Sequence, residues 1–290
     1  MRRLIASGLC AVACATVGAQ ESLDFKDANA REILKRGRIA IGGVDAVGHV
    51  QAIVLQGLSR IPANTGPVEC ELEIRILLPD RYLRIDRAPF GEKRSGFEGR
   101  QSLSVISERG RTTLPPEHLV DQIVQSERER MLQLLLGAAA YLSPRDVVTF
   151  RSVTGDVGSV QPQGTADAGQ RAAVRRNQEA AGASTLSPPA SDSGARTYVS
   201  TTPNPYSFDV SVRPGAAFRY IADPATFLPS RITYINANGD EVTTTFAERR
   251  ATEGLNLAYR ITTMSRGKII DDLLLDHIAV NPKLTKDDFR

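Results

Sequence analysis

Residue types that do chemistry are few in this chain, and they are scattered. His49, His118 and His277 are the candidate general bases, and none stands in a cluster with metal-ligand spacing. Asp271-Asp272 with Asp276, and Asp287-Asp288, have the charge for a hard cation but lack the loop spacing that converges several oxygens on one. They read as solvated strand faces. Glu69, Glu71 and Glu73 form an acidic row on one strand face, where they favour solubility and discourage edge pairing. A carboxylate pair for glycoside hydrolysis would need facing elements, which spacing along the chain does not reveal. Gly-x-Ser-x-Gly and phosphate-cradling glycine loops are absent. The pattern predicts no enzyme, no metal and no cofactor. A secreted hydrolase would need at least two of His49, Asp272, Asp276 and His277 in one cleft.

Composition narrows the classes further. Lys and Arg number 36 against 33 Asp and Glu in 290 residues, a net charge of +3 that falls to +1 once Arg2 and Arg3 leave with a leader. That balance gives no field for nucleic acid or an anionic membrane. Aromatics are 6% and Trp is absent, so platforms for bases or sugars are scarce. Residues 1–19 read as a secretory signal: Arg2-Arg3, an apolar run from Leu4 to Val17, and small residues at Val17-Gly18-Ala19 before Gln20. The run is too short and too rich in small residues to span a membrane, which takes ~20 apolar residues. The chain is therefore expected in the periplasm, with lipid attachment at Cys14 as the alternative. Cys10 and Cys14 leave with the leader, so the mature chain keeps Cys70 alone and has no internal disulfide. Cys70 alternates with Leu72, Ile74 and Ile76 and reads as a small buried hydrophobe.

The elements that must position these residues follow from periodicity. Asn29 to Glu32 has capping-box spacing and opens a helix that Gly42-Gly43 stops. A short helical turn over Asp45 to Val50 follows. From Ile53 the period is two. Val68 to Leu78 is the clearest strand; Pro79-Asp80 turns it into the strand carrying Leu83 and Ile85. Gly91 to Gly99 reads as a charged hairpin connection, and Ser102 to Ser107 as a further strand. Pro115-Pro116 precedes a long helix over Glu117 to Leu142, whose second half is apolar almost all round and must be covered on several sides. Val147 to Phe150 resumes a strand. Between 155 and 205 Ala, Gly, Ser, Pro, Gln and Thr dominate, which predicts a disordered insertion with a short helix over Arg171 to Ala181. Strands then follow at Phe208, Ala217, Ser230, Glu241, Leu257 and Ile269. The prediction is an α+β, mainly β fold. A single domain over 20–290 holds an incomplete, half-open antiparallel β-barrel of about ten strands, with helices on its concave face. A curled sheet under so apolar a helix leaves either an elongated apolar cavity or a plainly filled core.

Four stretches resemble the superfamily of periplasmic lipoprotein carriers and receptors (LolA and LolB), with the regulator RseB as a relative. They are Ala30-Arg31-Glu32-Ile33-Leu34 with Ile41-Gly42-Gly43; Leu78-Pro79-Asp80-Arg81-Tyr82-Leu83-Arg84; Tyr220, Asp223-Pro224, Thr226 and Leu228-Pro229-Ser230-Arg231-Ile232; and Ile278 to Pro282 with Phe289. The resemblance covers most of 28–150 and 206–290; the 155–205 insertion is not part of it. It implies a periplasmic binding or carrier protein, with acyl chains, another lipid or a lipoprotein's lipid held between sheet and helices. The composition and the charge balance, apart from the resemblance, predict no span in the mature chain and no nucleic-acid partner. On the carrier reading the candidate lining is Leu72, Ile74, Ile76, Leu83, Ile85, Met131, Leu135, Tyr234, Phe246, Tyr259 and Ile261. The alternative is an envelope protein-interaction or regulatory module that uses the same fold without transport.

Overall fold

The computed structural model describes residues 28–63, 66–141, 147–152, 206–212, 216–236 and 239–290. The expected leader, Cys14 and the 155–205 insertion lie outside the described residues. Helix α1 (Ala28–Ile41) buries Ala30, Ile33, Leu34, Gly37 and Ile41, one stripe at helical spacing. It begins at Ala28, so Asn29 lies inside the first turn instead of capping it. Gly43 N donates to Arg38 O at 2.8 Å and ends the helix. A Cβ on Gly42 would lie 2.4 Å from the Gly254 carbonyl oxygen, so only glycine lets this helix end press on that turn. The short α2 (Val44–Gly48) follows.

Among the described residues, fourteen strands form one antiparallel sheet. Its first part is β1 (Ala52–Ile61), β2 (Val68–Leu77), β3 (Arg81–Ala88), β4 (Gly91–Glu98), β5 (Gln101–Ser102), β6 (Val105–Glu108) and β7 (Arg111–Thr113). Its second part is β8 (Val147–Ser152), β9 (Ser207–Val212), β10 (Ala216–Ala222), β11 (Pro229–Ile235), β12 (Glu241–Thr252), β13 (Leu255–Ser265) and β14 (Lys268–Val280). The order runs β7-β6-β4-β3-β2-β1-β14-β13-β12-β11-β10-β9-β8, with β5 beside β4. The first and last long strands join the two parts, Leu55 opposite Ile278. β7 and β8 are the two ends and do not pair, so the sheet is an open, incomplete barrel.

Three strands lie beyond the expected set: β4, β7, and one more because a single expected strand divides into β5 and β6. Within the connection expected over Gly91 to Gly99, β4 is a strand paired on both sides. It has one large apolar residue, Phe97, and two glycines, so period-two hydrophobicity is invisible. Glycine is required there: a Cβ on Gly96 would lie 2.1 Å from Tyr82 O. The strand expected from Ser102 to Ser107 is two short ones, β5 and β6.

Topology explains the long helix. The chain must pass from one free end of the sheet, β7, to the other, β8. Helix α3 (Val120–Ala139) makes that passage after a turn at Glu117–Leu119. Twenty residues give ~30 Å of rod. It crosses the inner face, touching β3, β4, β5 and β10 to β13, and Met131 to Ala140 are buried without exception. Its end is fixed by polar contacts. Ala140 turns left-handed at φ 46, and Tyr141 N donates to Leu135 O at 3.0 Å. Arg249 Nη2 donates to Gly137 O at 3.0 Å and Arg38 Nε to Ala140 O at 3.2 Å, satisfying carbonyls the helix leaves unbonded.

One apolar cluster joins both helices to the inward face of the sheet. A second, small one lies apart from it, where Leu83 and Ile85 meet Phe289 of the C-terminal turn Lys286–Phe289.

Candidate functional site: a charged cleft under the long helix

Strand register decides which side chains reach the space beneath α3. Ile76 sits opposite Tyr82, Ile74 opposite Arg84 and Leu72 opposite Asp86, so Tyr82, Arg84 and Asp86 share a face with the apolar row of β2. On β4 that face carries Phe97, Ser95 and Lys93. Ser59 and Asp271 complete it from β1 and β14.

Arg84 is the centre of this face and is 4% exposed. Its Nε and Nη2 each donate to Asp86 at 2.8 Å, a bidentate pair. Nη2 also donates to Ser59 Oγ at 2.8 Å and to Asp271 Oδ1 at 3.1 Å, while Nη1 donates to Asp271 Oδ2. Burial opposes the guanidinium's charge, but the two carboxylates outweigh it and push its pKa well up. One cation thus sits between two anions. Arg130 on α3 brings a second cation, held by Glu127 at 3.0 Å. Lys93 is exposed and makes no ion pair among the described residues.

Between these groups and α3 lies a cavity of about 170 Å³. Its lining mixes the apolar Ile74, Leu134, Ile261 and Leu273 with Arg84, Asp86, Ser95, Arg130 and Asp271; Ile74 stands directly opposite Arg84. Gln133 and Thr244 are joined by a 3.3 Å hydrogen bond, Thr244 and Thr263 by one of 3.2 Å, and all three border the cavity. Ser95 is 5% exposed, and its hydroxyl has no hydrogen-bond partner among the described residues. A buried hydroxyl without a partner is costly, and here it belongs to the wall of an open space.

The expected lining is only partly brought together. Ile74, Tyr234 and Ile261 border the cavity. Leu72, Ile76, Met131, Leu135, Phe246 and Tyr259 lie in the surrounding core. Leu83 and Ile85 are corrected: they pack against Phe289 in the separate cluster. Both faces of β3 are buried, so apolarity alone could not say which one points inward. The same parity hid Arg84 and Asp86. The signal available was Ile76 across the Pro79-Asp80 turn, which sets the register for Tyr82, Arg84 and Asp86.

The acidic residues also differ from expectation. Asp271 is tied to Arg84. Asp272 is 5% exposed and accepts from Thr262 Oγ1 at 2.6 Å and Arg260 Nη2 at 3.1 Å. Neither is a solvated strand face. His49 Nδ1 lies 2.6 Å from Asp45 O, and His277 is exposed on β14 opposite Gln56, so neither borders the cavity. Cys70 is buried on the inner face, and burial pushes its thiol pKa up, the state of an unreactive cysteine. Among the described residues no group of His, Cys, Asp and Glu could hold a metal ion.

No protein-family profile matches the chain, and no curated protein matches it in sequence. Solved structures do resemble it. One is a domain from Vibrio parahaemolyticus classed provisionally with outer membrane lipoprotein-sorting proteins, at 8% identity and TM-score 0.44, covering 89% of this chain and 94% of that one. A LolA superfamily protein from Nitrosomonas europaea matches at 8% identity and TM-score 0.46, covering 91% and 98%. A DUF1329 family protein from Desulfovibrio piger matches at 8% and 0.46, again covering 91% and 98%. At these scores the likeness assigns no residue of this chain a role.

Proposed function

We propose that the chain is a periplasmic binding or carrier protein for a ligand with an acyl portion, received between α3 and the sheet. The observation that supports this reading is a cavity whose lining is both apolar and polar. Its apolar residues suit hydrocarbon, and the unpartnered Ser95 hydroxyl opposite Arg84 suits a polar head or carbonyl. Each CH₂ taken from water contributes ~0.8 kcal/mol. The cavity's 170 Å³ is close to that of an engineered cavity that holds benzene, about six carbons. A longer chain requires more space than this cavity holds, and so a shift of α3 against the sheet. The periplasmic setting rests on the expected leader at 1–19. Among the described residues no helix is long and apolar enough to cross a membrane.

The test is native mass spectrometry with lipid extraction, on protein purified from its own envelope. Thr263→Phe, at a half-buried position on the cavity wall, fills the space without adding charge. The wild type should carry lipid and the folded variant should carry much less. An equal load on both, or none on the wild type, overturns the proposal.

A further inference from the structure

A second depression, of about 610 Å³, lies apart from the cavity under α3. It is bounded by β5 and β6, the approach to α3 and the C-terminal turn. Leu103, Leu114 and Val120 give it an apolar lining, with the buried Leu83 and Phe289 behind them. Leu114 is 68% exposed, an unusual position for a large apolar side chain on a charged surface. Arg94, Arg100 and Arg290 stand around this lining, and no acidic residue borders the groove. Arg94 is engaged by Glu92 at 2.7 Å and Arg290 by Asp287 at 3.0 Å. Arg100 is exposed and makes no ion pair among the described residues.

We infer that this groove binds a single-chain amphiphile with an anionic head, a free fatty acid, its alkyl chain on Leu103, Leu114 and Val120 and its carboxylate at Arg100. Charge is the first argument: Arg100 makes no ion pair among the described residues and no acidic side chain borders the groove, which complements one carboxylate. Volume is the second, because 610 Å³ falls in the range of small-molecule sites, ~300–1,000 Å³.

The inference does not rest on the cavity under α3, and the test separates the two sites. Purified full chain is titrated with a dansyl-labelled undecanoic acid, followed by competition with laurate or methyl laurate. Leu114→Glu and Arg100→Glu change exposed residues, so both variants should fold; Thr263→Phe serves as the cavity control. With the cavity under α3 closed by Thr263→Phe, each groove variant should weaken the remaining dye binding at least about tenfold. On that background Arg100→Lys should retain most of it, and laurate should compete better than its methyl ester. Undiminished binding in both groove variants on that background overturns the inference. So does absence of dye binding in Thr263→Phe itself, which would place all of the dye under α3, and so does equal competition by acid and ester.

Discussion

The ring of Phe246 occupies the space that a side chain at Gly137 would fill: a Cβ there would lie 1.7 Å from Cζ and 2.0 Å from Cε2. This contact seats α3 on β12 at the middle of the sheet. Gly137→Ala should therefore destabilise the protein by about 1–3 kcal/mol through overpacking, despite alanine's better helix propensity. Phe246→Ala alone should cost about 3–5 kcal/mol, as cavities in well-packed cores do. The double variant should cost clearly less than the sum, because the new methyl enters the space the ring vacates. Urea unfolding of the four proteins measures this; strictly additive costs would show that the two positions do not meet.

The buried ion cluster makes a second prediction. Arg84→Leu would leave Asp86 and Asp271 facing each other without their cation, and should cost about 3–5 kcal/mol. Replacing all three, Arg84→Met with Asp86→Leu and Asp271→Leu, should recover most of that loss. Chemical denaturation of the single and triple variants decides it. A triple variant as unstable as the single one would mean that the cluster is needed as a whole, beyond the pairing of its charges.

Much of this architecture was legible in the residues. The alternation from Cys70 to Ile76 set β2, and Met131 to Leu142 announced a helix that had to be covered. The open sheet and the helix across it follow from such segments. What was hidden depends on pairing between distant strands. Asp271 lies 187 positions from Arg84, and nothing local marks it as a partner. Ser95 sits in a strand whose small residues carry no hydrophobic period, and Leu83 and Ile85 point away from Ile74 because register outranks apolarity. The polar lining of the cavity therefore joins local pairs, Arg84 with Asp86 and Arg130 with Glu127, to partners that only long-range strand pairing supplies, Ser59 and Asp271.

Arg249 supports a third prediction. Its guanidinium donates to Gly137 O, Ala138 O, Pro229 O and Asn256 O, with no carboxylate partner among the described residues. It acts as a fastener between the end of α3 and the strands beside it. Arg249→Met keeps the alkyl stem but strands these carbonyls, and should cost about 1–3 kcal/mol. Lys offers a compact charge without the planar fork, so Arg249→Lys should recover only part. Hydrogen exchange should localise the damage: amides near Gly137 to Tyr141 should exchange faster while those of β2 hold. Uniform loss of protection over the whole sheet would refute a local fastener.

Acid should loosen the C-terminal turn. The Asp288 carboxylate accepts from Thr285 N at 2.6 Å and from Thr285 Oγ1 at 2.8 Å, closing a capping box that seats Phe289 on Leu83 and Ile85. The backbone and side-chain hydrogen bonds from Thr285 hold this carboxyl below its ordinary 3.8. A carboxylate whose folded pKa is lowered contributes stability that is complete above its unfolded value, and that contribution is lost as pH falls through the folded one. Wild type should thus exceed Asp288→Asn in stability by a constant margin from neutrality down to the region of 3.8, and the margin should close below it. Thermal unfolding of both proteins across that range reads the margin directly. A gap that stays constant, or widens, in acid would show that the charge on Asp288 does not hold Phe289 in place.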